Sequence, residues 1–421
     1  MNCKMIVAVT IGSVFEIFDF LSFVFLSSII AQLFFPKEIP SLAIVLTYVT
    51  ISVSYLLRPI GGIILANIGD KYGRKSVFTL SVLLMSIPSL IVGILPTFHQ
   101  IGYLATILMI LARILQGFSV GGEVPGSITY IAEYFKHKNV YFYCAFLTFG
   151  ANIGVVIAAL LINFLNKHTT HEFMYTYGWR IPFLLGSLLT ILGFYIRKSL
   201  KESQSFKILQ QHKQISKVPF FTLLAKYKPQ VIMGILLCLV VSVMTSVFHV
   251  FLPNLFITYF KINIHTATNL TTVGAFVMAV GSLQMGYCTK YINPITIIQT
   301  ALCGLAVVLI FLSIQIINLN HIITHYVYLL YLFQIIISIL LSGVNGIFFG
   351  LLPQLFDTQV RFSGVSVSFN VAYLLGAGLT PLWTSLILHN THNYHYIMII
   401  CLFVVILSFI NTIFLKYSLR I

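Results

Sequence analysis

Polar residues fall in short segments along this chain, and apolar runs fill the space between them. The runs lie near 6–34, 42–67, 77–95, 102–133, 141–165, 179–196, 230–256, 267–288, 295–317, 326–352, 363–388 and 395–415. A helix needs about 20 apolar residues to cross a bilayer core. Only helices and closed barrels satisfy their backbone there. The runs are continuous and lack the two-residue alternation of barrel strands. The pattern therefore predicts an all-α polytopic membrane protein with twelve transmembrane helices. The first run is too long for a cleaved signal peptide and has no small-residue cleavage site.

Composition agrees. The chain has 421 residues, 59% hydrophobic and 8% charged, where a soluble domain carries about 25% charged residues. That excludes a soluble enzyme, a nucleic-acid binder and a disordered scaffold, and no cofactor or metal is expected. The six cysteines show no CxxC spacing and read as small apolar residues. The net charge of +15 comes from cations between the runs. Eighteen fall on one side of the predicted topology, against Lys37, Lys167 and Lys261 on the other. Cytoplasmic loops are the Lys/Arg-rich ones, so both termini are expected to be cytoplasmic. The longest polar stretch, 197–229, carries eight of these cations and one acid, Glu202. It divides the chain into a six-helix bundle (1–196), a connector and a second bundle (230–421), the plan of a two-bundle secondary transporter. The connector reads as a topological device that also contacts anionic lipid.

Charges inside the runs carry the candidate chemistry, since each costs roughly 2.5–3.5 kcal/mol at mid-membrane and needs a partner or a wet cavity. They are Glu16 and Asp19 in the first run, Arg58 in the second, and Arg113 and Glu123 in the fourth. At about 1.5 Å per residue, Glu16 and Asp19 lie about 15 and 20 Å from the cytoplasmic end, and Arg113 lies about 16 Å from the outer end. These levels match. Residues 16 and 19 share a helix face; an acid beside Arg113 stays ionised while an unpaired one can hold a proton. Asp19, Glu16 and Glu123 are thus the proton-coupling candidates. Arg58, nearer the cytoplasmic half, partners Glu123 or binds a substrate carboxylate. Gln116 is one turn from Arg113. Asn370 and Tyr373 are polar groups in an apolar run and read as cavity lining. Glu123 sits among Gly117, Gly121, Gly122 and Gly126, a close-packing pattern. Pro125 has no N–H and so frees the Gly121 carbonyl, which suits a gate or a packing hinge. His249 in the seventh run reads as a core histidine. The sets His389, His392, His395 and His321, His325 read as loop histidines.

Gly69-Asp70-Lys71-Tyr72-Gly73-Arg74-Lys75, between the second and third runs, resembles the loop signature of the major facilitator superfamily. Arg113-Ile114-Leu115-Gln116-Gly117-Phe118-Ser119-Val120-Gly121-Gly122-Glu123 is similar to the signature of its metabolite:proton symporter family. Glu16-Ile17-Phe18-Asp19, Gly178-Trp179-Arg180-Ile181-Pro182-Phe183, and Phe369-Asn370 through Gly378-Leu379-Thr380-Pro381 agree with it. The likeness is closest to the proline/glycine-betaine type. It implies two six-helix bundles and a multi-pass protein of a bacterial inner membrane that works as a monomer. It also implies a cytoplasmic latch of Gly69, Asp70, Gly73, Arg74 and Glu133: Asp70 on the N-terminus of the eleventh helix, and Arg74 bridging Asp70 to Glu133. The implied activity is proton-coupled import of a small zwitterion by alternating access, with Arg113 as the carboxylate anchor. Phe15, Phe18, Tyr48 and Tyr55 are candidates for a cage around a quaternary ammonium. The alternatives are a dicarboxylate or tricarboxylate symporter, which would need Arg58 in the cavity, and a non-transporting sensor. The second-half loop Thr289-Lys290-Tyr291-Ile292-Asn293-Pro294 departs from the family by lacking the Asp-x-x-Gly-Arg pattern, and Asp357 and Arg361 are the first suspects to replace it. Some betaine carriers sense osmolarity through a long tail after the last span; this chain has about six residues there, so osmotic regulation is not carried over.

Overall fold

The computed structural model describes residues 2–35, 40–135, 139–212, 219–258, 262–315, 327–391 and 393–419. Of the positions named above, Lys37, Lys261, His321, His325, His392 and the side chain of Tyr48 lie outside the described residues. Among the described residues, twelve helices are long and apolar enough to cross a membrane: Met5–Phe25, Ser52–Tyr72, Arg74–Ile94, Tyr103–Tyr134, Asn139–His168, Gly178–Lys198, Lys228–Ile257, His265–Cys288, Pro294–Ile314, Tyr328–Leu355, Arg361–Thr391 and His395–Leu419. Among the described residues no strand forms.

Within the first six spans, the first packs on the fifth and sixth, the second on the fourth, and the third on the fourth and sixth. Within the last six, the seventh packs on the eleventh and twelfth, the eighth on the tenth, and the ninth on the tenth and twelfth. Two seams join these sets: the second and fourth spans against the eleventh, and the fifth against the eighth. An even number of crossings puts the first residues, the connector and the last residues at one end, called here the connector end.

Three boundaries differ from the sequence pattern. The first apolar run breaks at Leu26 into Asn2–Phe25 and a separate helix Ser27–Phe34. The second span continues through Gly69-Asp70-Lys71-Tyr72, so only Gly73 makes the turn. Its φ of +118° is open to glycine at little cost. The sixth span runs to Lys198 and takes in Arg197, which charge alone assigned to the connector.

Two spans widen locally into a π turn, Val247–Phe251 and Leu374–Gly378. Leu252 N–H bonds the Val247 carbonyl and Leu379 N–H the Leu374 carbonyl. Each turn stands shortly before a proline, Pro253 or Pro381, whose missing N–H orphans the carbonyl four residues back. That carbonyl is His249 O in the first case, and the Thr271 hydroxyl caps it at 3.2 Å.

Candidate functional site

At the connector end the five positions of the loop motif come together. Asp70 Oδ2 accepts from Ser363 N–H at 2.8 Å and Oδ1 from Phe362 N–H at 3.3 Å. These are among the first N–H groups of the eleventh span, which have no partner inside the helix, and a carboxylate there also meets the positive end of the helix dipole. Arg74 Nη2 lies 3.0 Å from Asp70 Oδ1, and its Nε donates to Glu133 Oε1 at 3.1 Å. A third bond runs from Arg74 Nη2 to the Thr358 carbonyl at 2.5 Å. Gly69 packs against Phe362, leaving no room for a Cβ.

Residues that sequence reasoning missed complete this cluster. Glu202, the single acid of the connector, accepts from Arg74 N–H at 3.2 Å and from Lys75 N–H at 3.1 Å, capping the third span. Its Oε2 also sits where a Cβ on Gly73 would be. Ser203 Oγ donates to Glu133 Oε2. The connector is therefore a structural part of the cluster as well as a charge tag. A scarce acid in a basic segment was the available signal, the same one that singled out Asp70. Arg361 reaches Glu133 Oε1 at 3.7 Å and donates to the Pro353 and Phe356 carbonyls. Asp357 instead accepts from the Tyr227 hydroxyl. Partial burial, and then the bonded carboxylate, push that phenol up to about 12, so it remains a donor at neutral pH. The second-half loop has no such network: Lys290 Nζ stacks 4.3 Å over Tyr287 and 5.8 Å over Phe142 of the fifth span.

Four of the mid-membrane charges, Glu16, Asp19, Arg58 and Arg113, form two groups. In one, Gln116 bridges Asp19 and Arg113, donating through Nε2 to Asp19 Oδ2 and accepting at Oε1 from Arg113 Nη1. Direct Arg113–Asp19 contact is long, 3.9 Å. The guanidinium lies 3.7 Å over the Phe23 ring, and its Nε and Nη2 have no hydrogen-bond partner among the described residues. The fourth span carries Arg113 and Gln116 one turn apart, and close approach to the second span fixes their level. A Cβ on Gly117 would lie 2.2 Å from Ser54 O, and Ser54 Oγ donates to Arg113 O at 3.1 Å.

The other group joins the halves. Arg58, 4% exposed, stacks 4.2 Å over Tyr55 and 5.5 Å over Phe20, and its Nε is unpartnered. Glu16 is 2% exposed and makes no ion pair within 4.0 Å among the described residues. Tyr373 of the eleventh span stands within electrostatic reach of Glu16, Arg58 and Tyr55. Of the aromatic residues expected near a ligand, Tyr55 is in this group. Phe20, which the pattern did not pick out, takes the place expected for Phe18, whose ring is 2% exposed and lies beside Gly186.

One expectation is overturned, and a second residue has a packing role that the sequence did not show. Arg58 does not pair with Glu123. Arg197 does, through two bonds of 2.5 and 2.6 Å, with Ser81 Oγ donating to the same carboxylate at 2.9 Å. Arg197 also donates to Phe78 O and Ala8 O and stacks 3.8 Å over Phe78. The sequence boundary placed Arg197 one residue outside its span and so hid this partner. Asn370 is fastened by its amide nitrogen, while its Oδ1 has no partner among the described residues. Its Nδ2 donates to Gly121 O at 2.8 Å and to Ser366 O at 2.9 Å, taking up the carbonyl that Pro125 frees and fastening the eleventh span to the fourth.

Both Arg197 and Glu123 are shielded from solvent, so removing one partner leaves a bare buried charge at a cost of about 3–5 kcal/mol. Arg197→Met is expected to lower the melting temperature of the purified protein sharply. The double variant Arg197→Met/Glu123→Leu is expected to recover most of the loss. Equal melting temperatures for wild type and Arg197→Met would show that the pair does not hold the first half together.

Comparison with known proteins bears on the family and the fold. The family model described as Major Facilitator Superfamily matches residues 11–318. A protein of Staphylococcus haemolyticus (strain JCSC1435) named "Putative proline/betaine transporter" is 33% identical over 391 residues, covering 93% of this chain and 82% of its own. The proline/betaine transporter of Escherichia coli (strain K12) is 28% identical over 419 residues, covering 94% and 81%. In fold, the chain is similar to the proton:xylose symporter XylE bound to 6-bromo-6-deoxy-D-glucose, with a TM-score of 0.79 at 14% identity over 99% of this chain and 95% of that one. A partially occluded inward-open form of XylE from E. coli gives 0.70 at 14% identity, over 98% and 96%. With a family model over most of its length and a 33%-identical relative along nine-tenths of it, the chain belongs to the major facilitator superfamily.

Proposed function

We propose that the chain is a proton-coupled symporter that imports a small zwitterion, proline or glycine betaine, by alternating access across a bacterial inner membrane. The observation that carries this reading is a set of buried guanidinium groups with donors to spare: Arg113 Nε and Nη2, and Arg58 Nε. Such donors suit a carboxylate, and the names of the relatives favour a zwitterion over a dicarboxylate or tricarboxylate. Tyr55 and Phe20, on whose rings Arg58 stacks, and Tyr373 within electrostatic reach supply an aromatic surface near these donors, and such a surface suits a substrate ammonium. Asp19 is the proposed proton carrier and Glu16 the second candidate. Glu123 drops behind both because Arg197 neutralises it.

The Asp70–Arg74–Glu133 cluster is the proposed latch, holding the connector end shut while the other end admits substrate. By the positive-inside rule the connector end is cytoplasmic. A monomer is the proposed working unit.

Reconstituted protein in vesicles tests the reading. Labelled proline or glycine betaine is expected to accumulate when the lumen is alkaline, and a protonophore should abolish the accumulation. Uptake that ignores the gradient would indicate a uniporter, no uptake of any solute a sensor, and uptake confined to α-ketoglutarate or citrate the carboxylate alternative.

A further inference from the structure

A groove opens on the surface of the first half at the connector end, between the third and sixth spans. Its volume is about 290 Å³, and it is lined by Lys75, Thr79, Leu80 and Leu83 of the third span and by Phe194 and Lys198 of the sixth. Gly193, next to Phe194, offers no side chain to fill the gap. A Cβ there would have one neighbour within 4 Å, Val82 Cγ1 at 3.9 Å. Leu80 and Leu83 remain 41% and 36% exposed. Both lie inside a membrane-crossing span, so acyl chains are what they meet.

Polarity changes with depth in this groove. The third span starts at the connector end with Arg74, and the sixth ends there with Lys198, which puts both lysines at the rim. At about 1.5 Å per residue, Phe194 is about 6 Å below Lys198, and Leu80 and Leu83 are about 8 and 12 Å below Lys75. Neither ammonium has a counter-ion. Among the described residues no ion pair includes Lys75 or Lys198. Glu202 caps the Lys75 backbone N–H, and Arg197, beside Lys198, turns inward to Glu123. Two unneutralised cations on one small groove repel each other, and an anion between them removes that cost.

A lysine at a helix end commonly does no more than fix topology. Here two spans bring one lysine each to the mouth of a single apolar slot, and basic pockets between spans are where anionic headgroups dock. We infer that this groove binds an anionic phospholipid of the leaflet at the connector end. Its phosphate lies between Lys75 and Lys198, and an acyl chain runs along Leu80, Leu83 and Phe194. A soluble anion would use the rim and gain nothing from the apolar wall. A zwitterionic lipid would use the wall but bring a cation of its own to the lysines. The bound lipid ties the third span, whose first residue Arg74 belongs to the latch, to the sixth. The site is separate from the connector and from the mid-membrane charges, and the inference does not depend on the transport reading.

The test titrates the purified full chain in detergent with phosphatidylglycerol and with phosphatidylcholine of the same acyl chains, counting retained lipids by native mass spectrometry. Each lysine near a headgroup is worth about fivefold in affinity. Wild type is therefore expected to hold one phosphatidylglycerol roughly tenfold or more tightly than phosphatidylcholine. Lys75→Gln/Lys198→Gln is expected to lose that lipid, and Lys75→Arg/Lys198→Arg to keep it. Leu83→Trp, which fills the slot and leaves both charges, is expected to lose it as well, so the inference stays testable if the double glutamine variant does not fold. Lys201→Gln/Lys207→Gln, on the connector, should change nothing. Equal retention of the two lipids by wild type, or undiminished phosphatidylglycerol binding in Leu83→Trp, overturns the inference. So does an equal loss in the connector variant, which would mean general surface charge, or displacement by glycerol phosphate at the same concentration, which would mean a plain anion site.

Discussion

Asp19→Asn is expected to abolish accumulation of substrate driven by a proton gradient while sparing exchange of labelled for unlabelled substrate. Gln116 holds Asp19 and Arg113 together, and the direct ion pair is stretched to 3.9 Å. A full contact would lock the carboxylate in its ionised form, and no contact would leave a bare buried charge. An indirect pair can be remade and broken as access alternates, and a proton carrier needs both states. Asparagine keeps the size and accepts the Gln116 bond but takes up no proton, so net proton-linked movement stops. Exchange releases no net proton and survives. Arg113→Ala should be worse, losing exchange as well. It removes the proposed carboxylate anchor and strands Asp19, at a cost of about 3–5 kcal/mol. The check is paired measurement of uphill uptake and counterflow in the same vesicles. Accumulation retained by Asp19→Asn but lost in Glu16→Gln moves the proton to Glu16. Accumulation retained by both removes the first span from coupling.

Much of this architecture was legible because the bilayer imposes a one-dimensional code. A run of apolar residues is a span whatever it packs against, so twelve spans could be counted without knowing one contact. The Asp70–Arg74–Glu133 cluster was legible in part: charge marked Asp70 as a carboxylate without topological use, and the resemblance to the superfamily's loop signature implied its partners and the eleventh helix. What stayed hidden depended on packing. The partner of Glu123 is Arg197, 74 residues away on the sixth span, and no periodicity links the two. Depth along a helix, which suggested Arg58 instead, fixes one coordinate and leaves rotation and neighbour free. Asn370 shows the same limit. A polar residue in an apolar helix signals an unusual environment, and both a wet cavity and a freed carbonyl are such environments. The Gly121 carbonyl was predicted to be free, but its acceptance of Asn370 Nδ2 required knowing that the eleventh span lies there. Phe20 and Phe18 are two residues apart on one helix, and only the placement of the second span decides which meets Arg58.

The second large effect is expected at the latch. Asp70→Asn should reduce uptake at least tenfold with normal membrane insertion, and shift the resting population toward an open connector end. Asp70 ties the halves through two backbone N–H groups of the eleventh span and also holds the Arg74 guanidinium, which itself donates to the Thr358 carbonyl in the second half. Each charge-assisted bond is worth about 1.5–3 kcal/mol, and about 1.4 kcal/mol shifts a two-state population tenfold. Asparagine keeps an acceptor for one N–H, turns its amide donor toward the other, and leaves Arg74 without that counter-charge in a site where both side chains are fully buried. Glu202→Gln should act in the same direction but more weakly, since the cap it forms on the third span lies within the first half. Lys290→Ala should be milder still, because its cation rests on aromatic rings and holds no ion pair among the described residues. Single cysteines at the two ends, probed with a membrane-impermeant thiol reagent, report the population directly. Unchanged labelling at both ends together with normal uptake in Asp70→Asn would mean that the contact is architectural and that the halves are held shut elsewhere, with the Asn370–Gly121 bond the next place to test.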